Sequence, residues 1–251
     1  MAQPKYRMSR SIIYGYFPPG VKWLLIINTV VFLVSYLGGY SLQHQMVILL
    51  ALIPQFVVFS FPWFLHQLFT YMFLHAGFGH LLFNMLTLWM FGITLEQTWG
   101  TRRFLKYYFL CGVGAGVCVV AANAVFGGMR IPTLGASGAI YGLLLAFGVL
   151  FPDTKVLMNF LFPIKAKYLV MIYGAVALIS ALGSGNSGVS NVAHLGGMLF
   201  GWVYLKAPMP RFRFLQLPDA GGWYRQWRMQ RAKKKFQVYM RKQDGRGPWV
   251  N

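Results

Sequence analysis

Long apolar segments separated by short polar connections dominate this chain. Because the core of a bilayer is spanned by about 20 apolar residues in a helix, we predict six transmembrane helices. The predicted spans cover residues 23–41, 77–96, 103–126, 134–151, 167–183 and 190–206. The pattern therefore predicts an all-α, polytopic membrane protein built as a six-helix bundle.

One further apolar run, residues 46–65, is long enough to cross a membrane but contains Pro54 and Pro62. The basic residues argue against a seventh span. With six spans and a cytoplasmic N-terminus, all of the 23 Lys and Arg residues except Arg130 lie on the cytoplasmic side, in agreement with the positive-inside rule. We therefore predict that residues 42–66 form a first loop associated with the outer membrane surface, and a seventh span is the alternative.

The composition supports a membrane protein rather than a soluble one. Hydrophobic residues make up 57% of the chain and charged residues 11%, whereas soluble domains contain about 25% charged residues. A net charge of +19 is also typical of nucleic-acid-binding proteins. However, most basic residues lie outside the apolar runs, so membrane orientation explains the charge and we predict no nucleic-acid partner.

Three domains follow from this division of the chain. Residues 1–22 are predicted to form a short basic cytoplasmic N-terminus, residues 23–206 the membrane domain, and residues 207–251 a basic cytoplasmic tail. The aromatic and basic residues of the tail favour a segment lying along the membrane surface. A solvated tail that only fixes the topology is the alternative.

Neither a metal ion nor another cofactor is predicted. Cys111 and Cys118 are seven residues apart in one apolar run, nearly two helical turns, which is too far for a disulfide. No Cys or His cluster has the spacing of a zinc site.

Polar residues inside membrane spans are costly and are therefore functional candidates. His80 and Asn84 are spaced i and i+4 in the second span, Ser137 lies near the start of the fourth, and His194 lies near the start of the sixth. In the six-span topology these three spans all begin at the outer face. The three clusters therefore lie at similar depths on the same side of the bundle.

These side chains match the requirements of acyl transfer by a serine nucleophile. Ser137 is the predicted nucleophile and His194 its general base, because a histidine accepts protons near neutral pH. Tyr141, one helical turn after Ser137, is positioned to pack against the imidazole, and no Asp or Glu is placed to do so. The oxyanion donors would be the side chains of His80 and Asn84 with the backbone N–H of Ser137.

The glycines around these residues have a second interpretation. Gly135, Gly138, Gly197 and Gly201 are typical of close helix packing in membranes. Taken singly, each polar cluster could also act only as an interhelical hydrogen bond. The occurrence of all three clusters at one face favours catalysis.

From about residue 20 to residue 206 the sequence resembles the rhomboid family of intramembrane serine proteases. The family's motifs H-x-x-x-N, G-x-S-G and A-H-x-x-G-x-x-x-G match, in this order, His80 and Asn84, then Gly135 to Gly138, then Ala193, His194, Gly197 and Gly201. The family's tyrosine after the nucleophile matches Tyr141, the glutamate that closes the second span matches Glu96, and His75 lies where many members have a histidine.

The sequence departs from the family in the first loop, where many members have a Trp-Arg pair. The equivalent residues here are His66 and Gln67, which puts the loop's usual internal contacts in doubt but not the catalytic dyad.

The resemblance implies a minimal six-helix, bacterial-type member that cleaves peptide bonds in or near the transmembrane helices of other proteins. It implies a multi-pass protein of the bacterial inner membrane, with both termini cytoplasmic, whose partners are transmembrane substrates and membrane lipids. Three alternatives are a related protein that binds or escorts membrane helices without cleaving them, a transporter, and an intramembrane lipid hydrolase. The substrate and the oligomeric state do not follow from the sequence.

Overall fold

The computed structural model describes residues 17–158, 162–183, 191–207 and 231. Most of the predicted N-terminal segment 1–22 and nearly all of the predicted tail 207–251 lie outside the described residues. The chain divides into two compact units, Met1–Ala207 and Pro208–Asn251, and the elements described below belong to the first.

The first unit is a bundle of apolar α-helices, as the sequence predicts for a polytopic membrane protein. Its six longer helices are α1 (Pro19–Leu37), α5 (Phe78–Trp99), α6 (Thr101–Phe126), α7 (Ser137–Leu150), α8 (Ala166–Leu182) and α9 (Asn191–Lys206). By length and composition, α1, α5 and α6 can each cross a membrane, whereas α7 and α8 are shorter apolar helices.

The first helix begins and ends four residues earlier than the predicted span 23–41. Pro19 is its first residue, a position that proline tolerates because the amide there has no intrahelical acceptor. At its other end, the amide of Gly38 donates to the Val34 carbonyl, and Gly39 follows with a φ of 72°. A positive φ interrupts the helix, so the apolar pattern continues beyond the point where α1 ends.

Short helices fill the first loop, and the run 46–65 is not one continuous helix. They are α2 (Gly39–Leu50), α3 (Pro54–Phe59) and α4 (Gln67–Thr70), followed by a 3₁₀ turn over Tyr71–Phe73. Between α2 and α3 the backbone of Ala51 is extended, and Leu52 exchanges two 2.9 Å backbone hydrogen bonds with Thr133. The loop is thereby attached to the segment that precedes α7.

His66 and Gln67, which replace the family's usual Trp-Arg pair, hold the loop with contacts of their own. The buried side chain of Gln67 accepts a hydrogen bond from the Ile53 amide at 3.0 Å and donates one to the Ile48 carbonyl at 2.9 Å. The two ring nitrogens of His66 lie 3.0 Å and 2.8 Å from the carbonyl oxygens of Trp63 and Leu49. The first loop is therefore tied internally at these positions by contacts other than those of the family's usual Trp-Arg pair.

At the C-terminal end of α5, Glu96 anchors the beginning of α1. Its carboxylate accepts hydrogen bonds from the amides of Gly20 at 2.8 Å and Val21 at 2.7 Å, and from the Thr101 hydroxyl at 2.6 Å. The first amides of a helix have no intrahelical acceptor, and their partial positive charge favours an anion. The buried Glu96 therefore satisfies the beginning of α1 and ties it to the α5–α6 turn.

A two-stranded hairpin between α7 and α8 was not predicted from the sequence. Strands β1 (Lys155–Met158) and β2 (Phe162–Lys165) pair antiparallel, with Val156 opposite Ile164. These two side chains pack against the core of the bundle. At the base of the hairpin, Lys167 and Lys165 lie 3.0 Å and 3.4 Å from Asp153 and lower the pKa of its carboxyl group.

Candidate active site

Ser137 is the first residue of α7, and its position depends on Gly135. Gly135 has a φ of 123°, which side-chain-bearing residues rarely adopt. Its amide donates a 2.9 Å hydrogen bond to the Tyr71 carbonyl. The turn before α7 is therefore held against the first loop, and the amide of Ser137 lies at a helix N-terminus, where amides lack intrahelical acceptors.

His194, in the first turn of α9, lies against this serine. Its Nε2 is 2.9 Å from the Ser137 Oγ, within the range expected for a nucleophile and its base. The imidazole stacks on the ring of Tyr141, with centroids 4.0 Å apart and an interplanar angle of 3°. Among the described residues, no hydrogen-bond partner reaches its buried Nδ1, so no described carboxylate orients the ring.

Close packing of α7 against α9 and α6 brings Ser137 and His194 together. A Cβ added to Gly197 would lie 1.8 Å from the Gly138 carbonyl oxygen, and one added to Gly138 would lie 2.6 Å from the Ala115 Cβ. At Gly201 an added Cβ would meet the Tyr107 hydroxyl at 2.4 Å. Side chains at these positions would push the helices apart, because packed interiors have no free space for an extra carbon.

His80 and Asn84, in the first two turns of α5, face the same region. The Nδ1 of His80 accepts a 3.4 Å hydrogen bond from the Ala76 amide, which leaves the proton of a neutral ring on Nε2. A Cβ added to Gly135 would lie 2.9 Å from this Nε2 and 3.8 Å from the Ser137 Oγ. The His80 ring therefore occupies space beside Ser137 that is free only because residue 135 is a glycine.

The Asn84 side chain is buried, and one of its two N–H groups has no acceptor among the described residues. Its Nδ2 donates a 2.7 Å hydrogen bond to the His80 carbonyl, and a primary amide carries two N–H groups. Both Asn84 and His80 line the same cavity as Ser137. Two α5 side chains that carry N–H donors thus line the same cavity as Ser137, whose own backbone N–H lies at the beginning of α7.

The cavity at Ser137 has a volume of about 560 Å³ and is lined mainly by apolar side chains. Its walls are α5, α7 and α8, and Leu157 of the hairpin completes them. This size is typical of ligand-binding cavities, which are apolar with a few polar groups. Among the described residues, no group of three or more His, Cys, Asp or Glu residues is arranged to hold a metal ion.

Several residues that support the site were not identified from the sequence. The hydroxyl of Tyr71 donates to the Gly112 carbonyl at 2.6 Å, and that of Tyr107 donates to the Gly142 carbonyl at 2.8 Å. These contacts join residues far apart in the chain, so no local sequence pattern indicates them.

A model of the rhomboid domain family matches residues 62–209, which is more than half of the chain. The chain belongs to the rhomboid family. This rhomboid is accordingly an integral, multi-pass membrane protein with a polytopic helical fold. The match begins in the first loop and includes α5 to α9, so all of the candidate site residues lie within it.

Individual relatives support the assignment to the family. The rhomboid is 35% identical over 162 residues to "Rhomboid protein 1, mitochondrial" of Saccharomyces cerevisiae, covering 61% of this chain and 45% of that protein. It is 27% identical over 223 residues to "Rhomboid protease GluP" of Bacillus subtilis, covering 88% of this chain and 40% of that protein. It is 34% identical over 144 residues to "Rhomboid-like protease 5" of Toxoplasma gondii, covering 53% and 15%. The chain thus spans less than half the length of each of these relatives.

Proposed function

We propose that this rhomboid is a serine endopeptidase that hydrolyses peptide bonds in or near the transmembrane helices of other membrane proteins. The observation that carries the proposal is the 2.9 Å contact between the Ser137 Oγ and the His194 Nε2 inside an apolar cavity. Two relatives, from Bacillus subtilis and Toxoplasma gondii, are named as proteases.

In the proposed acylation step, His194 Nε2 accepts the hydroxyl proton while the Ser137 Oγ attacks the carbonyl carbon of the scissile bond. The carbonyl oxygen becomes an oxyanion in the resulting tetrahedral intermediate. When this intermediate collapses, the C–N bond breaks and His194 returns the proton to the leaving amine. Water then attacks the acyl-serine, with His194 again acting first as base and then as acid.

The oxyanion would be stabilised by three donors: the Nε2–H of His80, the second N–H of Asn84 and the backbone N–H of Ser137. Donors that are already in position before the reaction contribute most in a water-poor site, where no solvent has to reorganise. The loss of one such donor typically lowers the rate by about 100-fold or more.

The proposed base works as part of a dyad. The stacked ring of Tyr141 fixes the plane of the imidazole, which is the orienting role that an Asp has in a catalytic triad. An aromatic partner adds no negative charge beside the imidazolium that forms during catalysis. The Ser137 hydroxyl is then the direct partner of His194 among the described residues.

We further propose that the active site opens toward the outer face of a bacterial inner membrane and that both termini are cytoplasmic. The distribution of Lys and Arg supports this orientation. The relatives include both a mitochondrial and a bacterial protein. Labelling of single cysteines placed before α1 and after α9, with a reagent that does not cross membranes, tests the orientation in intact cells.

The test of the proposed activity is cleavage of a reporter transmembrane segment by the purified protein in liposomes. We expect the wild-type protein to cleave and the Ser137→Ala and His194→Ala variants to be inactive. Equal cleavage by the variants would refute the serine mechanism. Binding of several diverse reporters without cleavage by wild type would instead support the non-catalytic alternative, a protein that binds or escorts membrane helices.

A further inference from the structure

The cavity at Ser137 extends along the bundle rather than ending beside the serine. On α5 its lining residues run from His80 to Phe91, which corresponds to about 16 Å along the helix. On α7 they run from Ser137 to Leu144. The cavity thus continues well beyond the reacting atoms, toward the end of α7 that is followed by the hairpin.

Leu157 of the hairpin belongs to this cavity. Successive side chains of a strand point to opposite faces, and Val156 packs against the core of the bundle, so Leu157 lies on the other face. Its side chain is 49% exposed and therefore accessible to a molecule in the cavity.

The walls of the cavity farther from Ser137 are apolar. Met90 on α5, Leu144 on α7 and Leu169 on α8 are among the lining residues. The hydroxyl of Thr87, which also lines the cavity, donates to the Phe83 carbonyl at 2.7 Å, so its proton is already engaged. This part of the cavity therefore favours an apolar occupant.

We infer that Leu157 forms the floor of the substrate cavity and contacts an apolar side chain of the substrate's transmembrane segment. The contacted residue belongs to the part of the segment that continues from the scissile bond into the membrane, because this part shares one continuous cavity with Ser137. The inference rests on the proposed protease function and makes the hairpin a determinant of substrate specificity.

The distance along the cavity determines which substrate residue reaches Leu157. The α5 wall of the cavity, about 16 Å long, corresponds to roughly five residues of extended chain or roughly eleven residues of α-helix. A contact near the fifth residue from the scissile bond would mean that the substrate is unwound along the cavity. A contact near the eleventh would mean that it remains helical.

The test is a size exchange between Leu157 and the substrate. A set of reporters carries one Phe, or one Ala, at each position from the scissile bond to about twelve residues into the membrane. At each position, the kcat/KM of the Ala reporter is divided by the kcat/KM of the Phe reporter. For Leu157→Trp we expect this ratio to be about tenfold higher than for wild type at one position. Small changes in the fit of an apolar side chain typically have at least that effect.

The matched control is Phe162→Trp on the paired strand. Phe162 is 63% exposed and does not line the cavity, so its replacement should leave the Ala to Phe ratios of wild type unchanged. A Leu157→Trp variant with wild-type ratios at every position would refute the inference. Equal changes in both variants would also refute it, because they would reflect a disturbed hairpin rather than a contact.

A fluorophosphonate probe, which reacts with activated serines, separates this result from the proposed function. We expect the probe to label wild type and both hairpin variants, but not Ser137→Ala. Labelling with unchanged ratios refutes only the role of Leu157. Absence of labelling and of cleavage in wild type would refute the proposed function and, with it, this inference.

Discussion

Two buried polar clusters lie near opposite ends of α5 and differ in how fully their hydrogen bonds are formed. Glu96, which is 2% exposed, accepts bonds from two amides and a hydroxyl. His194, which is 6% exposed, bonds to Ser137 through one nitrogen, while its Nδ1 has no partner among the described residues. The Glu96 cluster, whose hydrogen bonds are formed, joins two helices. The His194 cluster, in which a ring nitrogen has no partner among the described residues, can still take part in a reaction.

This difference helps to separate structural from functional polar groups in a membrane protein. Burial of a polar group is costly unless it is hydrogen bonded, so a saturated group such as Glu96 contributes mainly to stability. A group with unused donors or acceptors costs stability and indicates a role that involves a substrate. The two clusters should therefore respond to mutation in opposite ways.

The largest expected effect is loss of activity without loss of stability at the dyad. Ser137→Ala should lower kcat/KM by a factor of about 10⁴ or more, and the double variant with His194→Ala should lose little further activity, because the two residues act as a unit. Thermal unfolding in detergent should change little. A double variant whose loss equals the product of the two single losses would contradict a dyad.

The opposite result is expected at Glu96. Glu96→Ala removes the acceptor of the Gly20 and Val21 amides, so we expect unfolding to become easier by about 3 kcal/mol, since each unsatisfied buried group costs about 1 to 3 kcal/mol. Glu96→Gln retains one acceptor oxygen and should be intermediate. Reversible unfolding measures the stability, and fluorophosphonate labelling normalises activity to folded protein. A large loss of activity per folded molecule would contradict a purely structural role.

An effect on the reaction rate is expected at the proposed oxyanion donors. His80→Ala and Asn84→Ala should each lower kcat by about 100-fold with little change in KM, because the donors act mainly in the transition state. Thr87→Ala is a suitable control, since Thr87 lines the same cavity but its hydroxyl is bonded to the Phe83 carbonyl. A higher KM with an unchanged kcat would argue against oxyanion stabilisation.

A dependence of stability on pH is expected from His75, in the connection before α5. Burial, followed by the neighbouring His80, lowers the pKa of His75 to about 4. Because the unfolded chain binds the proton at about pH 6.5, stability should fall as the pH falls from about 6.5 toward 4. The contribution lost at pH 5 is about 2 kcal/mol.

The variant His75→Asn, which does not titrate, tests this assignment. Its unfolding free energy should depend less steeply on pH than that of wild type between pH 7 and pH 5, because the other ionisable groups remain. Unfolding curves in detergent at several pH values supply the comparison. Equal slopes in the two proteins would assign the pH dependence to other groups.

The sequence predicts the helical bundle well, because apolar runs directly reflect the thickness of a bilayer. It is less informative where special backbone geometry decides. The predicted fourth span begins at residue 134, whereas α7 begins at Ser137, because Gly135 has a positive φ and cannot belong to the helix. Likewise, the apolar run 46–65 contains the extended backbone at Ala51, which hydropathy does not reveal.

The candidate site shows a similar limit. Regular spacing places His80 and Asn84 on one face of α5, and their polarity inside a span makes them candidates. The contact between Ser137 and His194 joins residues 57 positions apart, so only the topology of the spans could bring them together in advance. Neither spacing nor the topology of the spans indicates the contact between Tyr71 and Gly112, so only the structure reveals it.

The first loop offers the smallest expected effect, and it tests whether His66 and Gln67 replace the usual Trp-Arg contacts. Gln67→Ala leaves the Ile53 amide and the Ile48 carbonyl without their partner, so we expect a loss of about 1 to 2 kcal/mol. His66→Ala should cost less, because His66 is exposed and water can replace its contacts.

Hydrogen exchange at the Ile53 amide, compared with that at the Leu52 amide bonded to Thr133, measures the local opening. Faster exchange at Ile53 alone would show that Gln67 holds this part of the loop. Unchanged exchange at both amides would mean that the backbone pairing of Leu52 with Thr133 is sufficient.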